Sequence, residues 1–196
     1  MTEAFNMFMN QAASQGREYG DGFNSSHFDG LTQSELTKVL RIIEERALDG
    51  DAIAINATSF ININDAVSII EKVLRKSGSL GRKSINQASL EAYKITRQRK
   101  YLDNMFDHLG LCSEQERWHC IQLLCSIEYG NEWFEEAKAV FEKIVLDEQD
   151  EVLRHSAAKK IILESGIPEG TTIYQEKIKQ LINEERKVRE KALSDL

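Results

Sequence analysis

The stretch AKAVFEKIVLDEQDEVLRHSAAKKIILESG, residues 137–166, decides how the rest of the chain is read. Ala137, Val140, Phe141 and Ile144 recur at intervals of three and four, the spacing that gathers side chains on one face of a helix. Asp147 to Glu151 then break the apolar pattern. They have the composition of a turn followed by an acidic helix start, where negative charge meets the positive end of the helix dipole. A second helix carries Arg154, the small pair Ala157 and Ala158, and the core candidates Ile161 and Ile162, before Gly166. A short link makes the two helices antiparallel neighbours. Small residues in the middle of the second let another helix approach closely.

The same arrangement recurs to either side. Leu36, Leu40, Ile43 and Ala47 form one stripe, and Val67, Ile70, Val73 and Leu74 form another. Trp118, Ile121, Leu124 and Cys125 form a third, again at helical spacing. Four hydroxyl residues stand three before Glu or Gln, as in a capping box: Thr32/Glu35, Ser84/Gln87, Ser113/Glu116 and Thr172/Gln175. No segment alternates with period two, Pro168 is the one proline, and the fold class expected is all-α. The predicted helix pairs are 33–50 with 52–62, 65–78 with 83–97, 99–109 with 114–128 and 133–147 with 151–165. A long helix over 172–194 closes the chain. Residues 1–30 read as an N-terminal arm or cap with a Gly-rich loop at 16–30, and residues 31–196 as the helical repeat domain. Small residues mark the middle of each second helix: Ala57, Ala88, Cys120, then Ala157 and Ala158.

Residues 137–166 resemble a HEAT-type repeat: an apolar first helix, an acidic turn, then a second helix with Arg before paired small residues. The segment ERALDGDAIAINATSFININDAVSIIEKVL, residues 45–74, is similar. The resemblance covers about residues 33–166. It lacks the usual proline of the first helix, and its third and fourth units are longer and irregular. It implies a right-handed α-solenoid of about four HEAT-like helix pairs, with an N-terminal cap and a long C-terminal helix.

The chain has 196 residues, 41% hydrophobic and 29% charged, enough to bury a continuous core. Its start, MTEAFNMFMNQAASQG, has neither a basic leader nor a long apolar run. With that start, Cys112, Cys120 and Cys125 read as reduced thiols, and the expectation is a cytoplasmic protein with no membrane span. Net charge is −7 but uneven: residues 71–100 hold 9 basic and 2 acidic side chains, residues 101–150 hold 3 basic and 12 acidic. The acidic band suits a basic protein partner and argues against a nucleic acid, whose phosphates it would repel.

Motifs for chemistry are missing. His108, Cys112, His119 and Cys120 lack the spacing of a zinc finger, and no metal or cofactor is expected. His119 and Cys120 are chain neighbours, about 100° apart on a helix, without an oxyanion turn; no catalytic residue is assigned. SGSLGRKS, residues 77–84, lacks the spacing of a phosphate loop, and no small-molecule ligand is expected. Surface recognition remains. The expected partner-binding residues are Asp103, Asp107, Glu114, His119, Gln122, Glu128, Tyr129, Glu132, Trp133 and Glu136, with Tyr129 and Trp133 as aromatic anchors. A small acidic helical-repeat chain without catalytic residues is similar to immunity proteins of bacterial toxin systems, including contact-dependent growth inhibition. That similarity implies a non-enzymatic inhibitor that covers the active-site cleft of a basic toxin such as a nuclease. A helical-repeat scaffold or adaptor, and a HEAT-like DNA glycosylase, are the alternatives.

Overall fold

The computed structural model describes residues 1–129 and 131–196, with residues 131–133 described by backbone alone. Among them are twelve α-helices and no strand, as the missing period-two pattern predicts. The helices are α1 (Glu3–Ala13), α2 (Gly16–Gly20), α3 (Gln33–Leu48), α4 (Ala52–Ala57), α5 (Ile63–Arg75), α6 (Arg82–Thr96), α7 (Lys100–Leu109), α8 (Glu114–Cys125), α9 (Asn131–Asp147), α10 (Glu151–Glu164), α11 (Thr172–Leu181) and α12 (Arg186–Ser194). They form two compact units, Met1–Cys112 and Ser113–Leu196. The third expected pair is thereby split: α7 packs on α6 in the first unit and α8 on α10 in the second.

In the first unit α6 is the central element, packed against α4, α5 and α7, while α3 packs on α4 and α5. Every residue of α6 from Ser84 to Tyr93 is buried, Glu91 included, whose carboxylate accepts from Gln87 Nε2 at 2.8 Å and Lys94 Nζ at 3.1 Å. Ser84 is therefore not the N-cap that its spacing from Gln87 suggests. Gly81 takes that place, and Ser84 Oγ turns inward to donate to Gly50 O at 2.5 Å. Gly50 sits at φ +86°, and a Cβ there would lie 3.3 Å from Ser84 Oγ, so the turn between α3 and α4 requires glycine.

The N-terminal segment is anchored to the first unit. Phe8 is fully buried and stacks on Phe23, with Phe28 edge-on to it, so the Gly-rich loop wraps an aromatic cluster. Glu35 makes the capping box expected with Thr32 and also accepts from Thr2 N at 2.8 Å, pinning the start of α1. That second duty turns Glu35 inward. The buried stripe of α3 is accordingly Glu35, Val39, Ile43 and Ala47, and Leu36 and Leu40 are half-buried. The amide of Thr32, then that of Thr2, outweigh burial and pull the Glu35 carboxyl down to about 2 from an ordinary value of 4.5. A depressed folded-state pKa gives stability that is present above pH 4.5 and lost as the pH falls toward 2. The expected result is a thermal midpoint that drops over that window in the wild type and much less in Glu35→Gln, measured by circular dichroism against pH.

In the second unit α10 is central, touching α8, α9 and α11, and α12 packs back on α9. Ala157, Ala158, Ile161 and Ile162 are fully buried, as their places in the opening stretch imply. The capping box at Ser113 forms: the Glu116 carboxylate accepts from Ser113 N at 3.0 Å. At the start of α11 the cap is Thr171, whose hydroxyl accepts from Tyr174 N, and not Thr172. The single long C-terminal helix is two helices. Asn183 Oδ1 accepts from Glu185 N at 2.8 Å, a local side-chain bond that competes with helix continuation, and α12 starts at Arg186.

Candidate partner-binding cleft

Within the second unit, the first turns of α8 face the link between α9 and α10 across a concavity of about 610 Å³. Glu114, Arg117 and Trp118 line one side, and Glu148, Asp150 and Leu153 the other. Local sequence places each of them. The Ser113–Glu116 box starts α8, so Arg117 and Trp118 follow on its first turns. Asp150 caps α10 by accepting from Val152 N at 2.8 Å and Leu153 N at 3.2 Å. Glu148 joins the two sides, its Oε2 accepting from Arg117 Nε at 2.7 Å while Oε1 accepts from Gln149 N at 2.9 Å. Burial pushes the Glu148 carboxyl up, but Arg117 and the amides of Asp150 and Gln149 outweigh it and hold it below the usual range. The rim therefore carries three carboxylates, Glu114, Glu148 and Asp150, against one guanidinium.

Trp118 supplies the apolar wall and is 47% exposed. The sequence pattern puts it in a core stripe; the structure corrects this. The buried residues of α8 are Cys120, Ile121 and Leu124, and a face centred on these three lies about 110° around the helix from Trp118. A flat indole beside fixed carboxylates suits a cation on an apolar stem, such as Arg or Lys, through ring-face attraction and ion pairing together.

The expected binding residues fall in both units. Asp103, paired with Arg99 at 3.1 Å, and the exposed Asp107 lie on α7 in the first unit. Glu114 lies in the cleft, and His119 and Gln122 are half-buried on α8, where Gln122 Nε2 donates to Ser156 Oγ at 3.1 Å. Glu128 and Glu136 are exposed. Tyr129 is not an anchor for a partner: it is 1% exposed, sets its ring edge-on to Phe141 and donates its hydroxyl to Leu124 O at 2.9 Å. An aromatic ring so enclosed has no face left to offer. Glu132 and Trp133 lie outside the residues whose side chains are described. Trp118, Glu148 and Asp150 line the concavity without being among the expected residues, because i, i+3 spacing reads the first as core and the turn pattern reads the others as a link.

Among the described residues no group of three His, Cys, Asp or Glu is placed to hold a metal ion. His108 Nδ1 lies 2.9 Å from Asn86 Oδ1, Cys120 is fully buried, and no described helix is long and apolar enough to cross a membrane. Burial pushes the Cys125 thiol up to about 12, against a smaller opposing effect of Lys160. Since the thiolate is the reactive form, Cys125 should react with a disulfide reagent at pH 8 at least about tenfold more slowly than an unfolded-chain thiol. Equal rates would show that burial does not hold the thiol in its neutral form. No family model matches the chain, and no curated protein or solved structure matches it either.

Proposed function

We propose that the chain is a non-catalytic protein-binding module that takes a basic protein partner through the Trp118 cleft. The observation that carries this reading is an exposed tryptophan standing beside three carboxylates in one concavity. Two of those carboxylates are held in place by backbone amides and Arg117 before any partner arrives, which lowers the ordering cost of binding. The acidic band gives the approach a favourable field. We read the helices as turns of a right-handed, HEAT-like α-solenoid; the packed pairs α3/α4, α5/α6 and α9/α10 support its helix-pair part.

In that setting the module acts as a cytoplasmic immunity protein. Its carboxylates take the place of substrate phosphates against the Lys and Arg of a nuclease toxin, and the toxin's active-site cleft is occluded. A scaffold or adaptor would use the same cleft for a basic peptide. Expression that confers resistance to the toxin distinguishes immunity from an adaptor role, and tight retention on a DNA column at moderate salt would favour a glycosylase over both. The cleft itself is tested by Glu114→Lys, a change at an exposed position. At low salt the association rate with the basic partner is expected to fall roughly three- to tenfold, with the gap closing as salt is raised. An unchanged rate at low salt would overturn the electrostatic part of the reading.

A further inference from the structure

A second concavity of about 320 Å³ opens on the same α8–α10 face, lined by Gln122, Ser126, His155, Ser156, Lys159 and Lys160. The Gln122–Ser156 hydrogen bond spans the face at its middle. The two ends have opposite sign: Glu114, Glu148 and Asp150 at one, Lys159 and Lys160 at the other. Lys159 pairs with Glu169 at 2.8 Å, the side chains 39% and 59% exposed, and Lys160 pairs with Glu164 at 2.6 Å. The first pair stands largely in water, where such pairs contribute little and exchange readily for a better-placed carboxylate. Three large apolar side chains are also exposed along this surface. Trp118 lies at the acidic end, Val152 one turn before Ser156, and Leu163 beside the lysines. Compensation of the helix dipoles explains the acidic starts of α8 and α10 but not the lysines, since neither helix has a basic residue in its last turn. It does not explain exposed apolar groups beside both.

Resting on the reading that the acidic cleft holds an Arg or Lys of the partner, we propose that the α8–α10 face receives one extended segment of that partner. In this segment an acidic side chain stands four residues from the basic one. Trp118 and Ser126 are separated by eight helical residues, about 12 Å along the axis. An extended chain advances about 3.3 Å per residue, so a four-residue step covers about 13 Å, and its even count puts both side chains on one face. A one-residue step cannot reach the second concavity and points its side chains to opposite faces.

Two capped Gly/Ser peptides of identical composition test this, one with Arg and Asp four residues apart, the other with them adjacent. Binding to the intact chain is followed by the Trp118 indole N–H signal, identified by its loss in Trp118→Phe. The spaced peptide is expected to bind about fivefold more tightly, an advantage that Lys159→Gln abolishes. Equal affinity of the two peptides, both shifting the Trp118 signal, would overturn the two-ended face and leave the cleft standing. A spaced-peptide advantage untouched by Lys159→Gln would also overturn it. If neither peptide moves the signal at millimolar concentration, the cleft reading falls, and this inference with it.

Discussion

Trp118→Ala is expected to weaken binding of the basic partner at least about 30-fold while leaving the fold intact. The binding figure corresponds to a hot-spot loss of about 2 kcal/mol, usual for a tryptophan at the centre of an interface. Two contributions disappear together: the apolar area a partner would cover and the ring face that attracts its cation. Stability should be spared because the side chain is 47% exposed and the buried face of α8 is carried by Cys120, Ile121 and Leu124. Substitutions away from buried positions rarely move stability by more than about 0.5 kcal/mol. Calorimetric titration gives the affinity and differential scanning calorimetry the midpoint. Wild-type affinity in Trp118→Ala would remove the cleft as the binding site. A large loss of midpoint would show that the indole is part of the packing.

Arg189→Met is expected to be strongly destabilising, by roughly 3 kcal/mol. Arg189 is 6% exposed, and its guanidinium donates to the carbonyls of Leu146, Asn183 and Glu184. Those carbonyls belong to the end of α9 and to the link before α12, so one side chain ties both and satisfies acceptors that helix geometry leaves open. Methionine matches much of the volume but leaves three carbonyls without that donor. Arg154 does similar work, Nη1 donating to Glu148 O at 3.0 Å and Gln149 O at 3.1 Å. The two guanidinium groups lie close enough that burial, then Arg154 and Arg186, lower the pKa of Arg189. The negative end of the α9 dipole offsets part of that repulsion. For a unit of this size, about 3 kcal/mol lowers the thermal midpoint by more than about 10 °C. Hydrogen exchange should show α12 losing protection first. Arg189→Lys should not rescue, because one ammonium cannot span carbonyls on two segments. A midpoint within a few degrees of wild type would show that water replaces the guanidinium at no cost.

The helices were legible because their signals are local. Period-3.6 stripes, short links and two of the four capping boxes need only neighbours along the chain, and twelve helices without a strand among the described residues is their outcome. The stripes misled where spacing alone had to choose the buried face, as at Leu36 and Leu40 of α3 and Trp118 of α8. In α6 the run from Ser84 to Tyr93 is buried all round, so no amphipathic face exists to be read, and Ser84 serves Gly50 rather than its own helix end. The cleft was only partly legible. Glu114 was identified within an acidic band, but Trp118 passed for core and Tyr129 for surface, since spacing alone does not say which apolar residue centres the buried face.

Residues 137–166 by themselves determined two helices, their acidic turn and the burial of Ala157, Ala158, Ile161 and Ile162, because those properties follow from side-chain order on a single helix. Net charge and the position of the acidic band were equally a matter of composition. Tertiary structure alone decided that Arg154 and Arg189 turn inward to backbone carbonyls and that Glu148 is held by Arg117. It alone set Trp118 at the rim of a concavity. The placements of Arg154, Arg189 and Glu148 depend on partners 5 to 43 residues away in the chain, and a packed interior selects such partners by geometry, which sequence spacing does not encode.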